Sequence, residues 1–206
     1  MAPMRLLRRV GALGAALLVA SCAASGDAAP EAGASSSGAE DATLALAVHP
    51  TIPIEDEGLR QLAAMTGPVG DEGLIGSGCA AEPEAPLPDG DYLGIVLAYS
   101  TSLITIDVAC VYGPDTTQYA AFAESEDAAT QAYAVVNDVV EERPVLMTSD
   151  TRVYLEEEGW KPVDAAAAAP TLDPEAVQEH RCVWVRVEDG RAVALVEPAT
   201  MGTAAS

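Results

Sequence analysis

The sequence predicts an α+β, β-rich fold: a small coiled antiparallel sheet or barrel carrying one or two short helices. Three observations predict it. Tyr92–Tyr99 and Leu103–Tyr112 are apolar runs rich in Val, Ile and Tyr, separated by Ser100-Thr101-Ser102. Such runs suit a pleated, half-buried surface, and the short polar break between them is a hairpin signal. Cys182–Val187 and Ala192–Glu197 repeat the pattern around Glu188-Asp189-Gly190-Arg191, and Asp-Gly is among the strongest hairpin dipeptides. Between the two hairpins, Pro144–Thr148 and Arg152–Glu156 read as further short strands around Ser149-Asp150.

Each element has a local reason. In the second strand Ile104, Ile106, Val108, Cys110 and Tyr112 share one face, the natural core face, so Thr105 and Asp107 look outward. In the first, Leu93, Ile95, Leu97 and Tyr99 form the larger face, opposite Gly94, Val96 and Ala98. A glycine inside a strand marks a bulge or a close backbone approach. Gly113-Pro114-Asp115 is a turn, and Gln118–Ala129 reads as helix. Tyr133–Val136 reads as a strand, with helix continued from residue 118 as the competitor. Asp164–Ala169 reads as an alanine tract inside a Pro-bounded loop. Asp173-Pro174-Glu175 starts a single helical turn, with Asp173 as N-cap and Pro174 in the first position.

These elements place one globular domain at residues 78–198, followed by a small polar tail, 199–206, that frays. Upstream, residues 43–77 read as a partly ordered extension. Thr43–Val48 is a candidate strand there, and Glu57–Met65 a candidate helix around Leu59, Leu62 and Met65. Prolines and glycines break the rest.

The first 42 residues are of another kind. Arg5, Arg8 and Arg9 precede an apolar run, Val10–Ala20, and then Ser21-Cys22. That order is the order of an export signal, here residues 1–21. The run would rise about 16 Å as a helix, too short for the ~20 residues that span a bilayer. Ala23–Ala42 holds Ala, Gly, Ser, Pro and acids with no large apolar side chain, so it cannot offset its ordering entropy. With Cys22 it forms a tether, residues 22–42, spanning on the order of 25 Å as a coil.

Val19-Ala20-Ser21-Cys22 resembles the lipobox of bacterial lipoproteins. The resemblance implies cleavage before Cys22, a diacylglyceryl group on its sulfur, and a place on the extracytoplasmic face of the cell membrane. Residues 78–198 resemble a group of small exported proteins and lipoproteins of actinobacteria. The correspondence runs through Gly78-Cys79, Leu87-Pro88-Asp89-Gly90 with Tyr92 and Gly94, and Asp107-Val108-Ala109-Cys110. It continues through Tyr133-Ala134-Val135-Val136-Asn137-Asp138 and Val183-Trp184-Val185-Arg186-Val187-Glu188-Asp189-Gly190. Gly113 fits the group's glycine after the second strand, and Glu197-Pro198-Ala199 is a shortened form of its acidic, tyrosine-containing ending. The resemblance implies a common fold and no activity.

Loss of residues 1–21 removes three arginines and no acid, so the formal charge of −22 becomes −25. Such a surface repels nucleic acid and anionic headgroups. The partners that remain are the membrane, through the lipid, and a cationic ligand or an envelope protein.

In an oxidising compartment cysteines pair by default. If the first hairpin pairs 99 with 103, Tyr92 lies opposite Cys110, and Cys79 precedes that point by thirteen residues. This favours Cys79–Cys110 over pairings that use Cys182. No CxxC spacing supports a metal site, and no cofactor fingerprint occurs. Asp89-Gly90-Asp91 is a turn rather than a calcium loop, since the further oxygen ligands are missing. Glu141-Glu142 and Glu156-Glu157-Glu158 read as solvated faces. Gly76-Ser77-Gly78 has Leu74 where a nucleophile elbow needs glycine; of the two possible bases, His49 has no partner in register and His180 lies beside Arg181 in a loop. Trp184 reads as core, and Trp160 is the other large aromatic anchor.

No catalytic residue is assigned. The reading this supports is a membrane-anchored envelope lipoprotein acting as a non-catalytic accessory or binding module. The alternatives are an envelope hydrolase using carboxylates, to be built around Asp107, and a structural envelope component. A concave carboxylate cluster would favour the hydrolase; a filled barrel would favour the module.

Overall fold

The computed structural model describes residues 51–67, 69–79, 85–123, 133–140, 142–177 and 181–199. The two expected hairpins are its backbone. Strands β1 (Gly90–Tyr99) and β2 (Leu103–Tyr112) pair antiparallel, and so do β6 (Cys182–Glu188) and β7 (Arg191–Val196). The β6–β7 turn has Asp189 and Gly190 at φ of 50° and 71°, the two left-handed positions of a type I′ turn. β1 also pairs antiparallel with β6, and β2 with β4 (Glu142–Tyr154). β4 meets β7 in parallel, which closes the ring β1-β2-β4-β7-β6. The result is a closed five-stranded barrel with two short additions, β3 (Ala134–Val136) on β2 and β5 (Pro162–Val163) on β4. A five-stranded barrel with this connectivity is OB-like in architecture, and architecture by itself assigns no function.

The barrel is lined as the second strand predicts. Ile104, Ile106 and Val108 point inward and pack with Val145, Met147 and Val153 of β4, Val183, Val185 and Val187 of β6, and Leu195 of β7. In β1 the interior takes Tyr92 and Val96 instead of the larger face. Gly94 lies between them because its neighbour leaves no space. A Cβ there would fall 2.5 Å from Ile106 Cβ. A register shift between Val96 and Ala98 then changes the strand's phase, so Tyr99 turns inward, packs on the core and donates its hydroxyl to Ala165 O at 3.0 Å. Hence Tyr99 pairs with Ile104, not Leu103, while Leu93 still pairs with Ala109.

The alanine tract is helix, not loop: α3 spans Ala165–Leu172, and Asp164 caps it by accepting from Ala167 N at 2.8 Å. Alanine is the strongest helix former, and the small faces of Ala165 and Ala168, with Leu172, plug the barrel end at Tyr99. Pro170 sits exposed inside the helix, where its missing N–H removes one bond. α4 (Pro174–Val177) follows with Asp173 and Pro174 in their expected roles. The helix after the second strand is α2, Thr117–Ala123; the rest of the expected 118–129 helix lies outside the described residues. The two strands expected at 144–148 and 152–156 are one strand, β4, irregular between Met147 and Arg152.

A second core lies outside the barrel wall. The helix expected near 57–65 is α1 (Glu57–Ala63), capped by Asp56, which accepts from Leu59 N. Its Leu59, Leu62 and Ala63, with Ile52, Ile54 and Met65, cover Leu93, Trp184, Ala194 and Val196 on the outward faces of β1, β6 and β7. Residues 52–65 thus belong to the same hydrophobic structure as the barrel. Thr43–Val48, His49, His180, Glu141, and the whole of residues 1–42 lie outside the described residues.

Candidate functional site

Cys22 falls outside the described residues, whereas Cys79 and Cys110 lie within them. Cys79 and Cys110 stand at disulfide distance, with Cα atoms 4.9 Å apart and a separation of 31 positions in sequence. They tie the segment that enters β1 to the far end of β2. Closing a loop of that length stabilises the fold by about 3–4 kcal/mol on the chain-entropy estimate. Cys182 heads β6, half-buried, and pairs in register with Ile95.

Near this disulfide β2 forks. It pairs with β4 from Leu103↔Leu146 to Asp107↔Glu142, and with β3 from Cys110↔Val136 to Tyr112↔Ala134. Residues 137–140 cross between the two partners. A crevice of about 200 Å³ lies at the fork, lined by Cys79, Val108, Cys110, Tyr112 and the run Val136–Val139. Asn137 is one of the lining residues. Its Nδ2 donates to Asp107 Oδ2 at 2.8 Å, while its Oδ1 is buried with no hydrogen-bond partner.

Asp107 is therefore not the solvent-facing carboxylate that strand alternation suggests. It does point away from the barrel interior, but it is 4% exposed. It lies in register with Ile95 on one side and Glu142 on the other, and Asn137 is bonded to it. Alternation predicts direction only; the cover comes from a segment thirty residues away.

The other sequence candidates are accounted for by structural bonds. Asp91 takes a bidentate pair from Arg186, Nε–Oδ1 at 2.7 Å and Nη2–Oδ2 at 3.2 Å, and Arg186 also reaches Asp56 Oδ1 at 3.2 Å. The arginine thus clamps the cap of α1 to the barrel wall. Burial alone would lower its pKa, but Asp91 and Asp56 raise it. Asp56 is held below its ordinary pKa first by the Leu59 N–H, against partial burial, and then by Arg186. Ser77 Oγ accepts from Asp91 N at 2.9 Å. Of the glutamate run, Glu156 N donates to Glu197 Oε2 at 2.9 Å and Glu157 accepts from the Thr171 hydroxyl, while Glu157 and Glu158 are both exposed.

Both tryptophans are core. Trp184 is 1% exposed under α1 and donates Nε1–H to Met65 Sδ at 3.1 Å. Trp160 donates to Glu197 O at 3.0 Å. Glu197 itself is buried and paired with Arg181 at 2.7 Å. This buried role was not legible in the Glu197-Pro198-Ala199 ending, because its partners come from residues 154–160 and 181. Among the described residues no cluster of three metal-ligating side chains occurs, and no helix is long and apolar enough to cross a membrane. No protein family, curated protein or solved structure matches the chain.

Proposed function

We propose that the chain is a bacterial lipoprotein of the cell envelope, moored on the extracytoplasmic face by lipid on Cys22, with its barrel serving as a non-catalytic accessory or binding module. The observation that carries this reading is the run Val19-Ala20-Ser21-Cys22 directly behind an arginine-led apolar stretch. A diacyl group meets the two-chain requirement for stable attachment without any spanning segment. The acidic tether then holds the barrel off a surface that repels it.

Two features of the barrel support a module over a carboxylate hydrolase. The interior is packed with side chains from all five strands and plugged by α3, so a ligand must bind outside. Asp107, the carboxylate a hydrolase would be built around, is covered and already bonded to Asn137. The test is metabolic labelling with a clickable fatty acid, comparing wild type with Cys22→Ala. Label on wild-type protein in the membrane fraction, lost in the variant, is the expected result. Unlabelled wild-type protein in the culture medium would overturn it.

A further inference from the structure

We draw no further inference here: the strongest candidate, the exposed pair Leu103 and Leu146 in register on the β2–β4 wall of the barrel beside Arg191 of β7, carries nothing because Glu188 stands opposite that arginine and nothing in the structure shows what covers the face.

Discussion

Substituting Gly94 by alanine should destabilise the barrel, against the usual sign of that change. The added Cβ would stand 2.5 Å from Ile106 Cβ, 2.7 Å from its Cδ1 and 3.0 Å from its Cγ1. Carbon atoms in good contact sit about 3.5–4.0 Å apart, so β1 and β2 must separate by roughly 1 Å at a point where Ile106 is fully buried. Overpacking of this kind costs about 1–3 kcal/mol. The loss of conformational freedom in the unfolded chain returns about 0.4–1 kcal/mol. The net expected loss is about 1–2 kcal/mol, a fall of roughly 2–8 °C in Tm for a chain of this size. Thermal melts followed by near-ultraviolet circular dichroism, with urea midpoints alongside, give the number. Adding Ile106→Val removes the Cδ1 contact but leaves the Cβ–Cβ contact, so it should recover less than half of the loss. A Gly94→Ala variant as stable as wild type, or more so, refutes the packing argument for this strand.

Removing the pair by Cys79→Ser with Cys110→Ser, or reducing it, should lower stability by about 3–4 kcal/mol, and non-reducing peptide maps should show the two peptides joined; an unchanged urea midpoint on reduction contradicts this. Arg186→Met should cost about 2–3 kcal/mol because it leaves the largely buried Asp91 carboxylate uncompensated, and the Arg186→Met, Asp91→Leu double variant should recover part of it. If the single variant melts like wild type, Arg186 does not clamp α1 to the barrel. Burial, and after it the nearby Asp164 charge, raises the Tyr99 pKa from 10.0 to about 12. Its folded pKa exceeds the unfolded one, so its contribution is complete below pH 10 and is lost as pH rises toward 12. Burial also raises Tyr92 and Tyr133, so spectrophotometric titration should show several late-ionising tyrosines, with a component near pH 12 that is lost in Tyr99→Phe; an unchanged titration curve in the variant would reassign it.

How much of this was legible follows the range of the interactions. Both hairpins could be read because their signals are local: alternating Val and Ile runs, and Asp189-Gly190 for a turn needing two left-handed residues. The Cys79–Cys110 pairing followed from register within one hairpin, and the bulge near residue 97 did not disturb it because Leu93↔Ala109 lies beyond it. Gly94 reversed the face of β1 that enters the barrel, since which face wins is decided by contact with Ile106, and the bulge then returned Tyr99 to the interior. The alanine tract was misread because Pro170 is a local breaker, while the cap from Asp164 and the barrel end that α3 plugs are tertiary. The parallel β4–β7 seam joins segments about forty residues apart and has no sequence signature. Nor does the burial of Asp107, which depends on where Asn137 is carried by β3.

The chain has four cysteines, and the sulfur of Cys22 can carry a lipid or pair with Cys182, but not both. Intact and tryptic mass spectrometry of protein purified from membranes decides between these uses. A mature chain beginning at Cys22, with the mass of a diacylglyceryl group on its N-terminal peptide, is the predicted result. An N-terminus elsewhere, or Cys22 recovered in a disulfide-linked peptide with Cys182, would contradict the anchoring on which the proposed function stands.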